Sequence, residues 1–192
     1  STGYGRDDFP FVTQTNDGAI WVIWAIKDNR YSNYNYDIVS KKATDYGTTW
    51  SSFNNITNDY AQPNGQNDVR PSALQASNGT IWVVWQKVFN STTSQIYYRT
   101  APATGSPWAP QRQLTTSLRL DQSPSIVQAK NGSIIIFWSA NVYGVETPEE
   151  IMYRVYNGAN WAPERKLTTD GSTGLSDLDP SAILTRTGSI LV

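Results

Sequence analysis

Any chemistry in this chain must come from carboxylates, amides, hydroxyls, lysines and arginines. The sequence contains no histidine and no cysteine. That removes Ser-His-Asp triads, histidine acid–base work, His- or Cys-ligated metals, disulfides and thiol chemistry together. The polar groups with suggestive placement are Asp8, Arg70, Gln122 and Asp179, each one or two residues ahead of a proline, and Lys27, Asp28, Lys87 and Glu146, which follow apolar runs. If these two sets of loops open on one mouth, two carboxylates there could act as acid and base across a glycosidic bond. The plainer reading of the same residues is a solvated polar rim. Tyr143, Glu146, Glu149 and Glu150 share one further loop. Asp177-x-Asp179 and the stretch from Asn54 to Asp68 hold oxygen ligands, but neither is a full calcium loop, so no metal and no cofactor is expected.

The elements that would position these residues come from a repeat. Asp68 to Trp85 carries two short apolar runs joined by Asn78-Gly79, the pattern of a tight β-hairpin with a type I′ turn. The text recurs. Asp7-x-x-Pro10 leads to Gly18 and Trp24, Asp121-x-x-Pro124 to Gly132 and Trp138, and Asp177-x-x-Pro180 to Gly188. The Pro-to-Gly spacing is the same in all four copies, and the Gly-to-Trp spacing in all three that contain both. Asp7, Asp68, Asp121 and Asp177 stand in every copy. They read as strand-entry caps, because a residue required by every repeat is a poor choice for a catalyst.

Each copy reads as a four-stranded antiparallel meander. The second strand, such as Ala19 to Ala25, is apolar on both faces and should be buried on both. The third (Tyr36 to Lys41, Gln95 to Thr100, Ile151 to Tyr156) is less apolar. A turn then leads to Trp50, Trp108 or Trp161, and to an aliphatic-Thr pair, Ile56-Thr57, Leu114-Thr115 or Leu167-Thr168. Pro110 and Pro163 place this fourth strand at a sheet edge, since proline cannot donate to a ladder. The repeats run about 7–60, 68–117 and 121–170, with a partial fourth over 177–192. One such sheet cannot bury both faces alone. Radial stacking of sheets does bury them, which predicts an all-β, single-domain β-propeller of three complete blades and part of a fourth. A β-sandwich is the rival architecture. The partial fourth repeat predicts a ring that is incomplete or completed by a partner, either a further polypeptide segment or a second copy.

Composition narrows the partners. Charged residues make up only 16% and the formal net charge is −1, which speaks against nucleic acid or anionic membrane as a general partner. No apolar run approaches a membrane span. Eight Trp and eleven Tyr exceed what blade packing needs, and suggest surfaces for flat ligands such as sugar rings. Four N-x-S/T sequons, at Asn55, Asn78, Asn90 and Asn131, are glycosylation candidates if the protein is exported.

Ala43 to Trp50, A-T-D-Y-G-T-T-W, closely resembles the Asp box, S-x-D-x-G-x-T-W, of the bacterial-neuraminidase (BNR) repeats in sialidase-like propellers, with Ala43 in place of the first Ser. The later repeats keep only Gly105 with Trp108 and Gly158 with Trp161. The resemblance covers essentially the whole chain. It implies a β-propeller in which the box is structural and lies on the outer rim. Asp45 would bond its own turn, Gly47 supply a permissive backbone and Trp50 plug the blade. It does not carry over catalysis. Sialidases of this kind use three Arg, a Tyr–Glu pair and an Asp. Here Arg70 is the nearest analogue of one Arg, its counterparts are Phe9, Ser123 and Asp179, and no Tyr–Glu pair can be placed.

The function these observations predict is an extracellular or cell-surface Asp-box-type propeller that binds or scaffolds, with glycan contact and no catalysis of its own. Two alternatives stay open. One is a fragment of a sialidase-like or other carbohydrate-active enzyme, and the other is a structural subunit assembled by intermolecular strand pairing.

Overall fold

The structure, a computed structural model, describes residues 5–27, 35–58, 66–142, 148–170 and 173–192. Its strands form three four-stranded antiparallel sheets, each a meander in chain order. The first holds β1 (Arg6–Gln14), β2 (Ile20–Lys27), β3 (Tyr36–Ala43) and β4 (Asn54–Asn55). The second holds β5 (Asn67–Gln75), β6 (Ile81–Asn90), β7 (Thr93–Ala101) and β8 (Arg112–Gln113). The third holds β9 (Asp121–Gln128), β10 (Ile134–Ala140), β11 (Glu150–Tyr156) and β12 (Arg165–Lys166). A hairpin of β13 (Ile183–Leu184) and β14 (Ile190–Leu191) begins a fourth unit. This is the all-β propeller architecture that the repeat predicts. Among the described residues no helix is long and apolar enough to cross a membrane.

The fourth strand of each sheet lies at the edge, as its prolines require, and is only two residues long. The aliphatic-Thr pair that follows is held another way. Thr57, Thr115 and Thr168 each accept the strand-three amide of Ile38, Ile96 or Ile151 on their hydroxyl oxygen. The side chain thus replaces a ladder bond.

Neighbouring blades are joined by equivalent bonds. Gln75 and Gln128 accept the amides of Asn16 and Ser77 on the preceding blade. Arg99 and Arg154 reach back to the carbonyls of Ile56 and Leu114. Two apolar clusters fill the seams. One is built on Trp21, Ile23, Ile38, Val83 and Trp85, the other on Trp82, Val84, Ile96, Ile136 and Trp138.

Two local expectations are corrected. The Asn-Gly hairpins are not two-residue type I′ turns. Gly79 has φ of 85° while Asn78 keeps an ordinary negative φ, Gly79 N–H bonds Ala76 O at 2.8 Å, and Ala76 N–H bonds Thr80 O at 2.8 Å. The loop therefore has three residues, with glycine alone in the left-handed region. Asn78 Oδ1 accepts the Thr80 amide, an Asx contact that fixes the turn without a positive φ at Asn78. The second correction concerns burial. β6 and β10 are buried on both faces, but in β2 Val22 and Trp24 are only half-buried, because among the described residues no sheet covers that face of the first blade. For the same reason Trp50 does not plug a blade. It is 41% exposed and lies beside Trp24, Val22 and Lys41 on the open face.

Candidate functional site

The residue before the conserved-spacing proline is Phe9, Arg70, Ser123 or Asp179 in the four repeats. All four have positive φ, between 49° and 54°, and none is glycine. A positive φ is uncommon outside Gly, Asn and Asp, and for Phe it is a clear outlier. In the first three repeats the strand-one register shifts across this point, between Asp8 and Phe11, between Val69 and Ser72, and opposite Phe137 to Ser139. A bulge of this kind re-aims one side chain. Here the bulge aims three side chains, and the positive φ at Asp179 a fourth, at a common cavity of about 200 Å³ lined by Phe9, Arg70, Ser123, Asp179 and their four prolines.

Arg70 is the centre of this axial site. Its Nη1 donates to Ser123 Oγ and to Asp179 Oδ1, the latter at 2.8 Å, and its guanidinium lies 5.3 Å from the Phe9 ring centroid. Ser123 in turn donates to Asp179 Oδ1. The pair is open to solvent, with the Arg70 and Asp179 side chains 40% and 69% exposed, so it contributes little to stability. Glu149 lies behind it. Its carboxyl is buried and accepts Gln122 Nε2 at 2.5 Å. Burial pushes its pKa up, and the Asp179 charge adds to this, against the Gln122 hydrogen bond and Arg70. The site therefore offers a cation, a hydroxyl, an aromatic face and a carboxylate on the surface, with a second, buried carboxyl close by.

The structure sorts the sequence candidates. Arg70 and Asp179 meet at the axis, and Gln122 contacts the site through Glu149. Asp8 stands apart. It accepts Tyr36 Oη at 2.7 Å and pairs with Arg6 at 2.7 Å, and the Tyr36 bond holds its carboxyl below the usual range. Lys27 lies over the Tyr36 ring at 5.6 Å. Lys87, expected at the mouth, is instead 2% exposed and ion-paired with Asp68 at 3.0 Å. Asp28, Tyr143 and Glu146 lie outside the described residues. Phe9 and Ser123 are the counterparts of Arg70 that comparison of the repeats identifies, and they line the same cavity; Glu149, which the sequence groups with Tyr143, Glu146 and Glu150 in one loop, is not marked by sequence as a mouth residue.

Three of the four repeated aspartates behave as a structural set. Asp7, Asp68 and Asp121 each accept the indole N–H of Trp24, Trp85 or Trp138, at 2.8, 2.7 and 3.1 Å. Asp177 Oδ2 is buried with no hydrogen-bond partner among the described residues, and its carboxylate gathers with those of Glu150 and Asp170 within 4.8 Å. This grouping replaces the Asp177-x-Asp179 pair considered from sequence. The box turn is held by Asp45, which accepts Thr49 N–H at 2.9 Å and Thr49 Oγ1 at 2.6 Å, while Tyr46 and Gly47 both take positive φ. Asn55, Asn78, Asn90 and Asn131 are all exposed.

Solved structures share this arrangement of blades. The chain is similar to an α-L-arabinanase of Penicillium chrysogenum complexed with arabinobiose, with 22% identity and a TM-score of 0.71 over 94% of this chain and 55% of that one. It is similar to a Trypanosoma rangeli sialidase complexed with the inhibitor DANA, at 9% identity and a TM-score of 0.68, over 94% of this chain and 33% of that one. The endo-arabinase of Bacteroides thetaiotaomicron matches at 15% identity and a TM-score of 0.64, over 99% of this chain and 71% of that one. The fold is that of the sialidase-like β-propellers. The chain spans about half the length of the Penicillium enzyme it matches. No family model and no curated protein matches the sequence. At these identities the likeness establishes the propeller, and what the mouth of this chain does rests on its own residues.

Proposed function

We propose that this chain is a glycan-binding propeller module of the extracellular space or cell surface, which takes saccharide at the axial mouth around Arg70. One observation carries the reading: four repeats each hold a non-glycine residue at positive φ, and the four line one cavity. Such backbone strain persists where function requires it. An exposed guanidinium, a hydroxyl, a carboxylate and the Phe9 ring suit sugar hydroxyls and a sugar face. Arabinobiose, the ligand bound to the Penicillium neighbour, supports the substrate class. Titrating the chain with arabinobiose and with sialyllactose tests this. Arg70→Ala should weaken the binding by about tenfold or more, equivalent to ~1.4 kcal/mol. Unchanged affinity in that variant sinks the assignment of the mouth.

A second reading, glycoside hydrolysis, is favoured by one feature: the raised pKa of Glu149 beside the Asp179 carboxylate suits a general acid. The binding reading expects no turnover of a fluorogenic sialoside or arabinofuranoside. Turnover that Arg70→Ala or Glu149→Gln abolishes would establish the enzyme instead.

The arc also has two uncovered apolar faces. Trp50 and Val12 are 41% and 61% exposed on the first blade, and Ile183 and Leu191 are 58% and 56% exposed on the last hairpin. β14 pairs with β13 alone, so one edge of it is open for pairing. We infer that a further polypeptide segment or a second copy covers these faces and completes the ring. Native mass spectrometry of the 192-residue chain reads the outcome. A soluble monomer that buries neither face refutes the inference.

A further inference from the structure

The two blade seams differ in one systematic way. Between the first and second blades, Trp21 is covered by the turn over residues 102–107. A Cβ placed on Gly105 would fall 2.1 Å from Trp21 Cη2, so the backbone rests on the indole. Between the second and third blades the equivalent indole is Trp82, and the covering turn, Asn157 to Asn160, is two residues shorter. Matching bonds fix the alignment: Arg99 Nε donates to Ala109 O across ten residues, and Arg154 Nε to Ala162 O across eight. Where cover is withdrawn, tyrosines are added. Ser40 and Ala101 line the first seam at positions that Tyr98 and Tyr156 occupy in the second, by the register of strands two and three.

The result is a cavity of about 580 Å³ between the second and third blades. This is within the ~300–1,000 Å³ of small-ligand sites. Trp82 and Tyr98, both buried, are stacked at 5.4 Å, and the half-buried Tyr156 and Trp161 meet Trp82 at 5.6 and 6.2 Å. Trp161 Nε1 donates to Tyr98 Oη at 3.1 Å, and Arg154 lies 5.9 Å from the Trp161 ring, which hold the aromatic group rigid. Its rim is polar, with Asn78, Thr80, Thr100, Gln128, Asn160 and Arg112. Among the described residues the lining has no carboxylate, so they supply no acid–base pair for the two-carboxylate route.

Rigid aromatic rings surrounded by amide and hydroxyl groups match a pyranose or furanose, which presents C–H faces and a ring of hydroxyls. We propose that this inter-blade cleft is a second saccharide-binding site, taking a short oligosaccharide segment without cleaving it. It shares no residue with the axial mouth and stands whether or not the mouth binds glycan.

The test uses the full chain made without N-glycans, because Asn78 lies on the rim. Arabinotriose, cellotriose and trigalacturonate serve as probes, followed by tryptophan fluorescence and calorimetry. Three variants separate the cases. Replacing residues 157–160 with the six residues of 102–107 restores the longer cover and should abolish binding or weaken it at least about tenfold. Asn160→Ala with Arg112→Ala should weaken it several-fold. Arg70→Ala removes binding at the mouth only, so the binding that the graft abolishes should persist in this variant. An unaltered melting temperature in the graft shows that the fold is intact; if the graft does not fold, the rim double variant decides. Failure of all three sugars to bind the unmodified chain overturns the proposal, as does equal affinity in the graft, or in the rim variant where the graft is unfolded. Loss of binding in Arg70→Ala alone assigns the ligand to the mouth and overturns it too.

Discussion

Asp7 and Asp68 occupy the same position of the repeat and accept the same indole N–H bond, yet their removal should differ greatly. Asp68 is fully buried, receives Trp85 Nε1 at 2.7 Å, and faces Lys87 Nζ at 3.0 Å, itself 2% exposed. Asp68→Ala removes this buried ion pair, which lies beside the Tyr97 ring at 5.4 Å from Lys87 Nζ to the centroid, and leaves the Trp85 N–H without this acceptor. Removing one partner of a buried pair costs ~3–5 kcal/mol. That approaches the whole stability of a small domain, ~5–15 kcal/mol. Asp7 is exposed, so in Asp7→Ala the Trp24 N–H turns to water, at a cost of ~0.5–1.5 kcal/mol. Urea unfolding followed by tryptophan fluorescence reads both. With a slope of ~1–3 kcal/mol per molar, the midpoints should separate by ~1 M or more. Equal midpoints for the two variants would refute the claim that burial, rather than the repeat position, sets the energetics.

Glu149→Gln should gain stability over the parent as pH rises. The carboxyl's folded pKa is raised above 4.5 by burial, so its favourable contribution is complete below pH 4.5 and is lost as pH climbs through the folded value. The neutral variant escapes that loss, and a difference between the two that is constant from pH 4 to pH 7 contradicts the burial argument. Asp45→Ala should lower the melting temperature by releasing Thr49 from its turn while leaving saccharide affinity untouched. Lost affinity at unchanged melting temperature would show that the turn belongs to a binding site.

The repeat was legible because spacing survives in one dimension. Pro10, Pro71, Pro124 and Pro180 mark strand one, the glycines mark the hairpins, and doubly apolar second strands can be covered on both faces only by stacked sheets. Edge placement of strand four followed from Pro110 and Pro163. The sequence also placed Arg70 and Asp179 on a common mouth. It could not show that the pre-proline residues converge, because that depends on a positive φ at Phe9, Arg70, Ser123 and Asp179, and on the angle between blades. It misplaced Lys87, because a lysine after an apolar run reads as exposed until Asp68 is seen folded against it. It misplaced Trp50, because the repeat makes it equivalent to Trp108 and Trp161, and only the arrangement of blades leaves that face open. The inter-blade cleft depends on both. The shorter turn before Trp161 and the tyrosines at 98 and 156 are written in the sequence, but that they face one another across a seam is decided by which blades pack together. Local pattern thus determined what each blade is, through hydrogen-bonding and burial periodicities that act within a few residues. The tertiary structure decided what the blades do to each other, because burial, ion pairing and convergence depend on neighbours some fifty residues away.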